Sequence, residues 1–370
     1  MEILYNTFAT YFMPLDTRPL HLRSDLKSYR CGFSAPSNIA LVKYWGKYPV
    51  QLPANPSISF TLNTCKTETY VSITKSDKPL NAFELDVFVD GIPNASFKPK
   101  ILNFFKRISP YLGFLKDYRF KIETSNSFPH SSGIASSASG FAALAACLVN
   151  IEHTLAKDVN DYNWYKVSFL ARLGSGSAAR STKGPLMVWG KHDKVEGSMD
   201  EIAISFNHID PVFKDYQDVI LLVDKGQKKV SSTVGHGLMN NHPYAQARFK
   251  QAHDNLTQLL VALKKGDVDS FIKITENEAL SLHAMMMSSN PYFILMKPNT
   301  LKIIEHIWDF RTKTDIPLSF TLDAGANVHL LFPNKHKTKV LAFINTTLVD
   351  FCENEQYICD YIGSGVMPLP

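Results

Sequence analysis

Lysines at a turn, an arginine beside serines and an aspartate at a strand end are the residues here whose types and spacing suit phosphate chemistry. The run Ala35-Pro36-Ser37-Asn38-Ile39-Ala40-Leu41-Val42 leads into Lys43-Tyr44-Trp45-Gly46-Lys47, so two ammonium groups flank a tight turn with a phenol between them. Ammonium groups held this way act as point charges on phosphates; the same residues also make an ordinary solvated strand end. Gly174-Ser175-Gly176-Ser177-Ala178-Ala179-Arg180-Ser181 joins small and hydroxylated residues to a guanidinium, which grips carboxylate or phosphate in bidentate fashion. Such a segment is also a common turn. Asp323 follows a strand and precedes Ala324-Gly325-Ala326-Asn327. There it is a turn residue or, beside a lysine and a phosphate donor, the group that orients or deprotonates an attacking hydroxyl. Lys228-Lys229-Val230-Ser231-Ser232-Thr233 offers more anion contacts, or a plain exposed charge run.

The densest signal is Ser125-Asn126-Ser127-Phe128-Pro129-His130-Ser131-Ser132-Gly133-Ile134-Ala135-Ser136-Ser137-Ala138-Ser139-Gly140, which enters an apolar helical stretch at Phe141. Small residues let the backbone approach a ligand, and a helix start offers free N–H groups and a positive dipole end. Together these suit nucleotide phosphates. The ending Gly-Lys-Ser/Thr of a Walker A loop is missing, and close packing of a helix on a sheet would use the same small residues.

Elements must bring these segments together. Period-two alternation predicts strands at Val71/Ile73, Leu85/Val87/Val89 and Tyr118/Phe120/Ile122, with further strands over 57–62, 219–223, 318–322 and 328–332. Helical spacing links Ile101, Leu102, Phe105 and Ile108, covers 161–173 up to Gly174, and joins Phe249, Ala252, Leu256, Leu259, Leu260 and Leu263 ahead of Gly266. Intermingled strands and helices predict a mixed class of α and β elements. Pro- and Asn-rich stretches over 48–56 and 288–300 read as loops that shape a site.

With 370 residues the chain is long enough for two domains. Its 45% hydrophobic and 20% charged content excludes a disordered chain, and a net charge of +5 without a dense basic run predicts anionic small molecules rather than nucleic acid. The five scattered cysteines contain no Cys-x-x-Cys, which argues for free thiols in a reducing, cytoplasmic compartment and against a structural metal site. No apolar run is read as reaching the roughly 20 residues that cross a bilayer, so no membrane partner is expected.

The combination resembles the diphosphomevalonate decarboxylase family, within the superfamily of galactokinase and homoserine, mevalonate and phosphomevalonate kinases. The resemblance rests on Ala35-Pro36-x-Asn38-Ile39-Ala40-x-x-Lys43-Tyr44-Trp45-Gly46-Lys47, on the serine loop, on Ser175 to Ser181 and on Leu322-Asp323-Ala324-Gly325-x-Asn327. Ser231-Ser232-Thr233, Ser281-x-His283-Ala284 and Gly363-Ser364-Gly365 occur in the family's order. It implies an α+β fold with an N-terminal ribosomal-protein-like α/β domain over 31–210 and a C-terminal ferredoxin-like domain over 211–370, with the site in the cleft between them; residues 1–30 have no counterpart in the family and are read as an N-terminal extension. It implies phosphorylation by Mg²⁺-bound ATP of the tertiary hydroxyl of mevalonate 5-diphosphate, then loss of phosphate and CO₂ to give isopentenyl diphosphate, in a homodimer. By the same resemblance Asp323, Lys43 and Arg180 are catalytic. Tyr44, Trp45, Gly46, Lys47, Lys100, Ser175, Gly176, Ser177, Ala178, Ala179 and Thr233 contact substrate, and Ser131, Ser132, Gly133, Ile134, Ala135, Ser136 and Ser137 cradle ATP. A kinase or decarboxylase acting on mevalonate 5-phosphate or mevalonate is the alternative within the superfamily.

Overall fold

The computed structural model describes residues 15–129, 134–157, 163–226 and 232–370, so Ser131, Ser132, Gly133 and the start of the helix expected at 161 lie outside the described residues. The first block runs β1 (Ser28–Val42), β2 (Lys47–Tyr48), β3 (Leu52–Pro53), β4 (Ser57–Lys75), β5 (Leu85–Val89), β6 (Ile92–Pro93), α1 (Lys98–Ile108), β7 (Tyr118–Asn126), α2 (Ser136–Ala156), α3 (Trp164–Gly174), β8 (Leu186–Trp189) and β9 (Ala203–Ser205). The second runs β10 (Gln217–Leu221), α4 (Ser232–Gly237), α5 (Ala245–Lys265), α6 (Val268–Met287), α7 (Pro298–Thr314), β11 (Ser319–Leu322), β12 (Val328–Phe332), α8 (Lys337–Phe343) and β13 (Tyr357–Tyr361), and β14 (Met367–Leu369) ends the chain.

Alternation builds the larger sheet. In β4, Cys65, Thr67, Thr69, Val71 and Ile73 are buried while the residues between them face outward, as a sheet covered on one face requires. Among the described residues the strand order is β14-β1-β4-β7-β5-β6, with β8 on β4 and β9 on β8. All pairs are antiparallel except β5 with β7. Helix α2 covers this sheet with Ala142, Ala143, Ala145 and Ala146 fully buried, small enough to bring its backbone close to β1 and β4. At 21 residues α2 is long and apolar enough to cross a membrane, which corrects the expectation that no such run exists; most of it is packed inside the protein.

The second sheet has the order β11-β12-β10-β13, all antiparallel. One side packs Val219, Phe320, Leu330 and Phe332 against Ile303, Ile304 and Ile307 of α7. The opposite side shares a core with the first sheet, where Ile58, Phe60, Leu186 and Val188 meet Leu256, Leu259, Leu260 and Leu263 of α5. Helix α5 stops at Gly266, whose φ of +71° makes the left-handed cap expected of it. Helix α7 starts inside the stretch read as a loop, because Pro298 sits in its first turn, where no backbone donor is needed.

Two tethers close the chain on itself. Asp360 of β13 accepts from the backbone N–H groups of Asn63, Thr64 and Cys65 at 2.7–2.8 Å, and Gly363 lies so close to β4 that a Cβ there would be 2.4 Å from the Leu62 carbonyl oxygen. At the other end, residues 15–27 lie on α2 and α3, with Leu15, Leu22 and Leu26 against the core. The buried Glu152–Lys166 ion pair, 2.7 Å apart, receives the Leu20 N–H and donates to the Arg18 carbonyl.

Candidate active site

The site grows from an irregularity in β1. Its register on β4 shifts between Pro36 and Asn38 and again between Ala40 and Val42, which re-aims side chains as bulges do. The strand then delivers Lys43 into the interior, 1% exposed. Its ammonium donates to the Ala40 carbonyl at 2.6 Å. Its backbone N–H donates to Glu278 Oε2 at 2.8 Å, and its own carbonyl accepts from Asn55 at 2.9 Å. Glu278, on α6, is gripped by both terminal nitrogens of Arg248 and by Asn255. Burial lowers the Lys43 pKa to about 8, while the carboxylates of Asp323 and Glu278 act to keep it charged.

Arg180 lies in the last turn of the 3-10 helix Gly176–Ser181 and is also buried. It donates to the hydroxyls of Ser59 and Ser57, neighbours on one face of β4, and its guanidinium lies 5.6 Å from the centre of the Trp189 ring. Burial pulls its pKa down to about 10, opposed by Tyr44 and Asp323, so it stays a cation at neutral pH. Asp323 is half-buried at the end of β11. Its backbone carbonyl accepts from His283 Nε2 at 3.1 Å and from the Gly325 N–H at 2.7 Å. Its charge is felt by Lys43, Arg180, His236 and His283, which places an acid from the second sheet among cations from the first.

His236, which sequence reasoning missed, organises the turn after Lys43. Its ring lies 4.2 Å from that of Tyr44 and 4.7 Å from that of Trp45, and Nδ1 accepts the Gly46 N–H at 3.0 Å. Burial lowers its pKa to about 3, so it is a neutral acceptor. Flanking glycines were its signal: a Cβ on Gly235 would be 2.5 Å from the Trp45 ring. Ser57, Ser59, Glu278 and Arg248 gave no comparable signal.

The other sequence-identified residues differ in burial and in what they touch. Tyr44 is half-buried, edge-on to Trp189 at 4.7 Å, with its hydroxyl pKa raised by burial. Gly176 is required beneath it, since a Cβ would come within 2.8 Å of the Tyr44 hydroxyl. Ser177 and Ser175 are half-buried; the carbonyl of Ser177 accepts from Asn38, and the Ser175 hydroxyl is 3.4 Å from that of Ser137. That contact joins the Arg180 turn to the first turn of α2, which has neither an acidic residue nor a side-chain cap. Ile134, Ala135, Ser136 and Ser137 therefore lead into a 21-residue helix that has no side-chain cap among the described residues, an arrangement that fits phosphate groups. Lys47 is half-buried and bonds Gln51, its pKa lowered by burial and then by Arg107. The Lys100 ammonium lies 5.2 Å from the Phe141 ring centre, near Gly174, and burial lowers its pKa.

Trp45, Ala178 and Ala179 are different. The Trp45 indole is 5% exposed and packs with Met239, Ala245, Leu282, Met286 and Ala324; Ala178 and Ala179 are fully buried. Their side chains lie in the protein interior. Thr233 belongs to α4, and its side chain lies outside the described residues.

Comparison with known proteins agrees with this geometry. The family profile described as diphosphomevalonate decarboxylase-like N-terminal domain matches residues 35–200, and that of the mevalonate 5-diphosphate decarboxylase C-terminal domain matches residues 218–363. A diphosphomevalonate decarboxylase from Ganoderma lucidum is 30% identical over 334 residues, covering 85% of this chain and 81% of the relative. The crystal structure of mevalonate diphosphate decarboxylase from Staphylococcus aureus superposes with a TM-score of 0.79 at 27% identity, over 93% of this chain and 98% of that one. The structure of MDDEF in complex with MVAPP, AMPPCP and magnesium gives 0.78 at 28% identity, over 92% and 99%. Signature strand, buried cations, late aspartate and the alignment of nearly the whole chain thus converge, and the protein belongs to the diphosphomevalonate decarboxylase family.

Proposed function

We propose that this chain converts mevalonate 5-diphosphate to isopentenyl diphosphate, with ATP as phosphoryl donor and ADP, phosphate and CO₂ as the other products. The observation that carries the reading is the Asp323 carboxylate set among the buried cations Lys43 and Arg180. Asp323 takes the hydrogen bond of the tertiary hydroxyl and draws its proton as the oxygen attacks the γ-phosphoryl group. Lys43 keeps Asp323 ionised and supplies positive charge beside the transferring group. Arg180, tied to Ser57 and Ser59, faces the substrate's carboxylate or diphosphate from a fixed position. Once the hydroxyl is a phosphate ester it can leave with the C–O electron pair. The carbon left electron-poor takes the electron pair of the C–C bond to the carboxylate, forming the alkene and releasing CO₂.

The serine-rich entry to α2 fits the ATP phosphates through the first-turn amides of the helix. Mg²⁺ would be held chiefly through those phosphates, where it neutralises their charge. The free thiols among the described residues fit the reducing environment of a cytoplasmic enzyme, and a homodimer is proposed on family resemblance alone.

The experiment is to incubate the protein with Mg-ATP and either mevalonate 5-diphosphate or mevalonate 5-phosphate. ADP, phosphate and CO₂ should appear in equal amounts from the diphosphate. Phosphorylated product without CO₂ would instead identify a kinase, and turnover of the monophosphate alone would reassign the substrate. Asp323→Asn should lower kcat at least a hundredfold, on the order of a lost general base, and leave the Kd for the diphosphate within about threefold, on the order of a spared ground-state contact. Equal losses of affinity and rate would show that Asp323 only holds the fold.

A further inference from the structure

His192, Asp193 and His253 form a group that nothing in the proposed chemistry uses. His192 and Asp193 lie between β8 and β9, and His253 lies on α5, so the group bridges the two sheet-bearing blocks. Their ligand atoms all fall within 4.8 Å of one another. Asp193 Oδ1 is 3.7 Å from His253 Nε2 and 3.9 Å from His192 Nδ1. We propose that these three side chains bind one divalent transition-metal ion of the zinc type, clamping the loop after β8 to α5.

The chemistry of the donors sets the class. Two imidazoles and one carboxylate suit Zn²⁺ and its first-row neighbours, whereas Mg²⁺ and Ca²⁺ prefer oxygen alone. His192 is prepared for the role. It is 2% exposed, and its Nε2 is 3.1 Å from the Thr257 hydroxyl and 3.3 Å from the His253 carbonyl oxygen. Because that carbonyl can only accept, it favours the tautomer with the proton on Nε2 and the lone pair on Nδ1, the pattern by which outer groups orient metal-binding histidines. Burial lowers the His192 pKa, which keeps the ring neutral. The Ser198 hydroxyl bonds both the N–H and the carbonyl of His192 at 2.8 and 2.9 Å, so the loop is fixed.

Lys194 occupies the other carboxylate oxygen, Oδ2, at 3.3 Å, and its backbone N–H makes a long 3.2 Å contact to His192 Nδ1, which the ion would replace. Ligands of tetrahedral zinc sit about 3.3 Å apart. The group must therefore contract, and the exposed Asp193 and half-buried His253 side chains have room to do so.

The test uses the full chain, freed of metal by a chelator and titrated with Zn²⁺ by calorimetry and with Co²⁺ by visible absorption. The wild type should take up one equivalent with a Co²⁺ spectrum of nitrogen and oxygen ligation. Zinc at about a hundredfold above Kd should raise Tm by several degrees. His253→Ala and Asp193→Ala, at accessible positions, should each weaken binding at least tenfold, and the double variant should lose the Tm shift while melting normally without metal. No stoichiometric uptake by the wild type, or equal uptake by the double variant, would overturn the assignment.

Discussion

Lys43→Met should kill the enzyme and stabilise the protein. In the folded chain the ammonium is taken out of water, and its pKa falls from 10.5 to about 8. That fall disfavours the charged form by roughly 3 kcal/mol at neutral pH, with the pull of Asp323 and Glu278 already included. Methionine keeps the unbranched stem and removes the charge. It also removes the bond to the Ala40 carbonyl, a loss of about 1 kcal/mol. The net gain is therefore about 2 kcal/mol, or roughly 2–3 °C in Tm for a chain of this size.

The pH dependence carries the sign. Between pH 8 and 10.5 the unfolded chain binds more protons at this position than the folded one, so wild-type stability rises with pH through that window. The advantage of Lys43→Met should be full below pH 8 and vanish above 10.5. Thermal melts of both proteins at pH 7, 8.5 and 10.5 measure it. A variant that melts below wild type at pH 7, or a difference flat across the series, would refute the claim that a buried charge opposes folding here. The assay of CO₂ release should meanwhile show a loss of at least a hundredfold, on the scale of other charge-stabilising groups.

Other outcomes follow from the same geometry. For the wild type, kcat/KM should decline as pH rises through about 8, where free-enzyme Lys43 loses its proton; a profile flat to pH 9.5 would mean its charge is not needed. Glu278→Gln leaves Arg248 a buried cation without its carboxylate, so urea melts should show a loss of about 3–5 kcal/mol, and a loss under 1 kcal/mol would remove the pair from any supporting role. Deleting residues 1–22 uncovers the Glu152–Lys166 pair and strips Leu15 and Leu22 from the core; Tm should drop by several degrees, corresponding to about 2–4 kcal/mol of lost packing and hydrogen bonds, and an unchanged melt would make the strap an ornament.

What was legible in the sequence was local. Period-two runs such as Tyr118/Phe120/Ile122 became β7, and the stripe ending at Gly266 became α5, because each pattern reports one buried face. Helix α6 was not legible: it buries Glu276, Glu278 and His283 among its apolar residues, so its polar face and its core face are one. Glu278 could not be connected with Lys43, since 235 positions separate them and only the folded chain makes them neighbours.

The Lys43-Tyr44-Trp45-Gly46-Lys47 motif joins buried and half-buried residues. Tyr44 and Trp45 lie beyond the end of β1, and their side chains enter different surroundings. Tyr44 accordingly turns toward Trp189 and Arg180, while Trp45 turns into the cluster of Met239, Leu282 and Met286 from the second block. His236 sits between the two rings and holds the Gly46 N–H. The indole thus docks the turn on the second block, and the phenol and ammonium groups inherit their positions from that docking. Trp45 therefore has a structural part in the signature, holding the turn against the second block.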